Sequence, residues 1–216
     1  MTLAGCEGRL STVDPAGPAA AAIAKMWWVL LSGSAAIFLL VITLLLFAFR
    51  RDASDTPAAE ARHERVWIWG LGFGFSIMVL AGLTVYGVLM GERLLPRPGP
   101  DVVTVRAEGA QWVWRFSYAD APGRATEHIL HIPAGRPVDV EITSTDVIHS
   151  FWVPRLAGKL DAIPGHVNVL RIEAEMPGDY AGVSAEFSGV GYTGHRFIVR
   201  AHNEADWGAF LRGEVR

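Results

Sequence analysis

The residues with metal-ligating chemistry gather in the second half of the chain. His149 stands in the run Asp146-Val-Ile-His-Ser-Phe-Trp-Val-Pro154, and Ser184, Glu186, Ser188, Tyr192 and His195 share one short stretch. If the fold brings His149 and His195 together, two imidazoles suit copper or zinc. The alternative for His149 is a hydrogen-bonded histidine of the fold. His128 and His131 lie near a strand and read as surface or core residues, while His166 and His202 sit in polar surroundings outside any motif. Cys6 is the only cysteine. That excludes an intramolecular disulfide and any centre needing two thiolates, such as a zinc finger, an iron–sulfur cluster or a dinuclear copper–thiolate site. No combination of these side chains reads as a general acid, base or nucleophile, so no catalytic residue is expected in this chain.

The elements that must carry these residues divide at the membrane. The chain has 216 residues, of which 51% are hydrophobic and only 19% charged, against about 25% charged in an average soluble domain. A net charge of −3 argues against a nucleic-acid partner. Met26–Phe49 and Val66–Gly91 contain no charged residue, and each exceeds the roughly 20 residues a spanning helix needs. Buried core helices of that length would show a polar face. Trp27, Trp28, Trp67 and Trp69 stand at span starts, as interfacial belt residues do. Gly70, Gly72, Gly74, Gly82 and Gly87 allow close helix approach in lipid, so the second span is expected to pack on another membrane protein. The connecting loop, 50–65, carries four arginines and reads as cytoplasmic. Leu3-Ala-Gly-Cys6 resembles a bacterial lipobox, with Cys6 as the lipid anchor and the N-terminus outside. Together these predict a multi-pass protein of the bacterial inner membrane, with everything after about residue 92 in the periplasm.

The expected organisation is an N-terminal segment (1–25), two transmembrane helices (26–49 and 66–91), a Pro-rich linker (92–100), a β domain (101–203) and a C-terminal amphipathic helix with its tail (204–216). Short β-rich runs split by Pro and Gly predict strands over 102–107, 111–118, 128–132, 138–144, 149–153, 167–174, 178–183 and 197–201. Val138-Asp-Val-Glu-Ile-Thr143 alternates as a half-buried strand does. Trp112 and Trp114 are two apart and are expected on one strand face, packing the core.

Four motifs occur in order: Gln111-Trp-Val-Trp-Arg-Phe116, Asp146 to Pro154, Lys159-Leu-Asp-Ala-Ile-Pro-Gly165 and Pro177-Gly-Asp-Tyr180. With the two spans before them, they resemble subunit II of the haem-copper terminal oxidases over nearly the whole chain. The resemblance implies a two-helix transmembrane hairpin followed by an all-β, cupredoxin-like (Greek-key β-sandwich) periplasmic domain. It also implies docking on a subunit I that holds the haems and copper, and association with a subunit III. In cytochrome c-oxidising members this domain carries the dinuclear copper centre CuA. Its ligand positions fall here on His149, Ser184, Glu186, Ser188, Tyr192 and His195, so both thiolates are replaced by serine. CuA is therefore expected to be lost, and the chain alone is expected to bind no cofactor. Ser184-Ala-Glu-Phe-Ser-Gly-Val-Gly-Tyr-Thr-Gly194 also resembles the loop of the CuA-lacking bo-type quinol oxidases, which take electrons from quinol bound by subunit I. His149, Lys159-Leu-Asp161 and Glu186 are closer to the cytochrome c-oxidising branch, where the glutamate also ligates Mg2+ at the contact with subunit I. The implied function is a non-redox subunit II of a proton-pumping quinol oxidase reducing O2 to water. The alternatives are a cytochrome c oxidase subunit II with an altered copper site, and a membrane-anchored binding or assembly protein.

Overall fold

The computed structural model describes residues 6–50 and 62–214. Leu3, Ala4 and Gly5 of the lipobox, most of the connecting loop and the last two residues lie outside that set. Cys6 is exposed. The chain divides into two units, one holding Trp28–Leu94 and the other everything before and after it.

The helical unit is apolar on its outside. The first helix, α1, runs Pro18–Phe49, with Pro18 at its first position, where the missing N–H costs nothing. It begins at Pro18 rather than at Met26 because the alanine run after Pro18 continues the helix without a break. The second apolar helix spans Arg62–Leu94. Its stretch Arg65–Phe75 is π-helical and α2, Ser76–Leu94, comes directly after. It thus takes three residues of the expected linker. Thr84 satisfies its hydroxyl on the Leu80 carbonyl one turn back, at 2.8 Å, so the span presents no free polar group there. Phe38, Leu39, Phe47, Ile77, Met78 and Val88 are all exposed. Side chains of this kind, all round a helix of this length, belong in lipid.

The other unit is a sandwich of two five-stranded sheets. Its strands are β1 (Val103–Ala110), β2 (Val113–Tyr118), β3 (Ala125–Glu127), β4 (Ile129–Pro133), β5 (Val138–Ser144), β6 (His149–Trp152), β7 (Leu160–Ala162), β8 (Asn168–Ile172), β9 (Gly178–Ser184) and β10 (Arg196–His202). One sheet has the order β3-β2-β1-β5-β8 and the other β4-β10-β9-β6-β7. β1 pairs in parallel with β5, and β10 with β4; the remaining pairings are antiparallel. All eight expected strands form, and β3 and β7 join them as short edge strands. Every second residue of β1 and β5 points inward, with Val103, Val105, Ala107, Val138, Val140 and Ile142 buried, as the two-residue period of a strand requires. Each large apolar side chain so buried contributes roughly 1.5–3 kcal/mol.

Trp112 departs from its expected place. Ala110 pairs with Val113, so Gln111 and Trp112 form the turn between β1 and β2. Trp114 is fully buried and Trp112 is about one-third exposed, so they do not share a burial face. Residues 16–20 pack on the sandwich. Ala16 N–H donates to the Arg155 carbonyl at 2.8 Å, Ala20 N–H to the Leu156 carbonyl at 3.2 Å, and Glu175 N–H to the Ala16 carbonyl at 3.0 Å. A Cβ on Gly17 would lie 2.0 Å from the Glu173 carbonyl oxygen, so only glycine admits this close approach. The C-terminal helix, α3, runs Glu204–Arg212 as expected. The Asn203 side chain caps it by accepting from Asp206 N–H, and Trp207 and Phe210 are buried.

Candidate functional site

β6, the end of β9 and the turn before β10 converge on one buried polar pocket. Ser184 N–H donates to the His195 carbonyl at 2.9 Å and Ala185 N–H to the Ser150 carbonyl at 3.0 Å. Ser150 N–H donates to Ser184 Oγ at 3.4 Å. These bonds join β6, the end of β9 and the turn before β10, and bring His149 and His195 together. His149 is 0% exposed and His195 1%, with ring centroids 5.0 Å apart and planes at 75°. Trp114 closes the pocket, stacked on His195 at 5.4 Å and edge-on to His149 at 6.2 Å. Trp112 meets His195 edge-on from the turn, at 5.9 Å.

Asp146 orients His149. Its Oδ1 lies 2.8 Å from His149 Nε2, and it also accepts from Gln111 N–H at 2.8 Å and Val147 N–H at 2.6 Å. Burial raises the Asp146 carboxyl, but these donors outweigh it and hold the pKa at about 2. The ionised carboxylate thus fixes the ring through its Nε2–H. Sequence reading gave Asp146 no role, although its place three residues before His149 was the available signal. Burial, and then His149, push the His195 imidazole pKa down, opposed by the Val113 backbone and Asp146. His149 Nδ1, the hydroxyls of Ser150 and Ser188, and Trp114 Nε1 are buried without a hydrogen-bond partner, while the Val113 backbone lies against the His195 ring.

Of the remaining expected positions, Ser188 is buried, whereas Tyr192 and Glu186 are partly exposed. Tyr192 packs its ring on Phe187 at 5.4 Å. Glu186 is half exposed, bonded to Phe187 N–H at 3.1 Å and 3.8 Å from Lys159 Nζ. Gln111 Nε2 donates to the Ser188 carbonyl, tying the β1–β2 turn to the loop. Phe187 and Val190 are strongly exposed beside it.

A second histidine pair escaped sequence reading. His131 Nδ1 and His202 Nε2 lie 2.8 Å apart, both buried, and His131 stacks on Phe210 of α3 at 4.2 Å. His202 is therefore a core residue and not a polar-surface one. The parallel register of β4 with β10 makes this pair, and no local sequence pattern announces it.

The family model for the periplasmic domain of cytochrome c oxidase subunit II matches residues 123–201. The quinol oxidase subunit 2 of Bacillus cereus is 30% identical over 221 residues, covering 98% of this chain and 75% of that protein. This chain belongs to the subunit II family of haem-copper oxidases. The cytochrome c oxidase subunit 2 of Alkalihalophilus pseudofirmus is 30% identical as well, covering 99% of this chain and 65% of its own. The periplasmic domain of subunit II of cytochrome oxidase from Bradyrhizobium japonicum aligns with a TM-score of 0.51 at 24% identity, over 54% of this chain and 95% of that one. That likeness confirms the cupredoxin-like fold of the β domain. As a subunit II, the chain is a membrane protein with a periplasmic domain and a component of a terminal oxidase complex.

The family implies the dinuclear centre, and the residues present do not fit it. Two coppers are bridged by soft thiolates, whereas the corresponding atoms here are serine hydroxyls, of which Ser184 Oγ already accepts from Ser150 N–H. Tyr192 packs on Phe187.

Proposed function

We propose that this chain is the subunit II of a quinol-oxidising, proton-pumping terminal oxidase, in which it has no redox role. The observation that carries the reading is the pair Ser184 and Ser188 at the two bridging positions. Without a bridging thiolate the domain offers no acceptor for an electron from cytochrome c, so electrons enter in subunit I from membrane quinol. The sandwich then covers and steadies subunit I, with subunit III as a further partner, and the two apolar helices cross the bacterial inner membrane to anchor it. The exposed Phe187 and Val190 suit a protein contact rather than a solvated face. Glu186 supplies one carboxylate for Mg2+ at that contact, completed by the partner's oxygens and water. Lys159, at 3.8 Å, weakens that ion, so Lys159→Met is expected to raise Mg2+ retention and Glu186→Gln to abolish it.

A second reading is favoured by the retained Asp146–His149 pair and by Trp112 leaning on His195. In it, cytochrome c remains the donor and electrons pass by another route. Oxygen uptake by the purified complex, with ubiquinol in one cell and reduced cytochrome c in the other, separates the two. Turnover with quinol alone is the expected result. Turnover with cytochrome c overturns the first reading.

A further inference from the structure

We propose that the outer face of the β4-β10-β9 sheet binds a single-chain amphipathic carboxylate, its hydrocarbon chain along an apolar groove and its head at Arg196. The site shares no residue with the histidine pocket and is independent of the donor that feeds the oxidase.

Strands of a sandwich turn alternate residues outward, and those positions are ordinarily polar. α3 covers one end of this outer face, where Phe210 lies against His131 and His202. Arg200 and Asp179 stand next to it, joined by two hydrogen bonds of 2.8 and 2.9 Å. Beyond that ion pair the face is apolar. The register sets Ile198 between Ile129 on β4 and Ala181 on β9, and Val183 opposite Arg196. All four apolar side chains are only partly buried. With Leu10 of the N-terminal segment they line a groove of about 380 Å3. Small-molecule sites span roughly 300–1,000 Å3 and combine an apolar lining with a few convergent polar groups.

The polar side chains of the groove are Arg9, Arg196 and His128, and among the described residues no carboxylate lines it. Arg196 Nε–H donates to the Thr193 carbonyl at 3.3 Å, which steadies the guanidinium and leaves its terminal amino groups for a ligand. His128 adjoins it, since Ile129 pairs with Ile198 in parallel register. Its φ is +60°, a conformation that residues with side chains seldom adopt. Two backbone bonds hold it there: His128 N–H donates to the Trp114 carbonyl at 2.9 Å, and Ile198 N–H donates to the His128 carbonyl at 2.8 Å. Strain of this kind collects at ligand clamps. Arg9 adds a second positive charge on the N-terminal wall.

Chemistry then selects the ligand. A guanidinium matches the two oxygens of a carboxylate, and the apolar floor removes a hydrocarbon chain from water. A phosphate head, with more oxygens and more charge, would call for more donors than Arg196 and His128 supply at that end. A protein partner would bury about 800 Å2 on each side, a far broader contact than this trough. The domain belongs to a membrane protein, so it works beside the lipid phase into which long-chain carboxylates partition.

The test uses the assembled oxidase in lipid nanodiscs, where no detergent competes for the groove. A photoreactive long-chain carboxylate is the probe, and adducts are mapped by mass spectrometry. The expected result is labelling of peptides that hold Ile129, residues 181–183 and Ile198, removed by excess unlabelled carboxylate. The neutral alcohol of the same chain should label the groove about tenfold less, the loss of one charge-assisted contact. Arg196→Gln should reduce carboxylate labelling by a similar factor, and Ile198→Trp, which fills the groove, should abolish it. Arg106→Gln, on the other sheet, should leave it unchanged. Absence of adducts in the groove overturns the proposal, including the case where the isolated chain labels and the complex does not, which assigns the face to a neighbouring subunit. Equal labelling by acid and alcohol also overturns it, as does labelling that survives both Arg196→Gln and Ile198→Trp. Arg196→Gln, outside the core, decides the matter if Ile198→Trp fails to fold.

Discussion

Lowering the pH below 6.5 should loosen the end of the sandwich where His131 and His202 meet α3. Burial, followed by the neighbouring His202, Arg200 and Arg124, holds the His131 pKa at about 4, against a small upward pull from Asp179. An unfolded histidine takes its proton near 6.5. Between those values the unfolded chain binds one proton more than the folded one, so stability rises with pH by about 1.4 kcal/mol per unit. The contribution is fully present above 6.5 and is lost as the pH falls to about 4, a total on the order of 3 kcal/mol. His202, lowered chiefly by burial with Arg200 adding and Asp206 and Asp179 opposing, adds in the same direction, and the pair titrates as one. Asp146 and Asp179 are lowered carboxylates, so their share is lost only below their ordinary range near 4. The two windows are therefore distinct. Thermal unfolding of the full chain in detergent, followed by tryptophan fluorescence from pH 7.5 to 4, should show Tm falling by roughly 10 °C. His131→Gln, which cannot titrate, should flatten much of that slope. Equal slopes for wild type and variant would refute the reasoning.

Gly182→Ala should destabilise the chain by about 1–3 kcal/mol, because its new Cβ would lie 2.3 Å from the Phe197 ring, itself packed at 5.5 Å on Trp114. Chemical denaturation reads this directly, and an unchanged midpoint would mean that Phe197 has room to move. Asn203→Ala removes the cap of α3 and should cost about 1 kcal/mol, with faster amide exchange at Asp206 as the local sign; exchange unchanged there would exclude the cap as the holding contact.

The fold was legible where period and punctuation are strong. β5 and α3 fall where the sequence places them, because alternation and an amphipathic stretch are local signals. The two apolar spans were equally plain, but their ends were not. Pro18–Lys25 is as good a helix former as the apolar span beyond it, and no local feature tells that Ala19 packs against the core of the sandwich or that Ala20 N–H bonds the Leu156 carbonyl. β3 and β7 have three residues each, too short for a pattern to register. Trp112 was misplaced because its spacing from Trp114 is that of a strand, while the Ala110–Val113 pairing that makes the turn is a property of two strands together. In the site, His149 and His195 were recognisable from the family's spacing. Asp146 as orienter and the His131–His202 contact were not, since each depends on atoms brought together by sheet topology.

The docking of residues 16–24 on the sandwich changes what counts as a detachable piece. A fragment starting at Leu95 would lack part of its own wall. The amides that Ala16 and Ala20 present to the carbonyls of Arg155 and Leu156 would be gone, along with the arginine–aspartate contact at Asp14. Conversely, a protease cut in 95–100 would sever one covalent tether and leave the other, so the domain would stay with the membrane fraction. Anyone seeking it as an autonomous, water-soluble body should fuse the 12–25 segment back onto it.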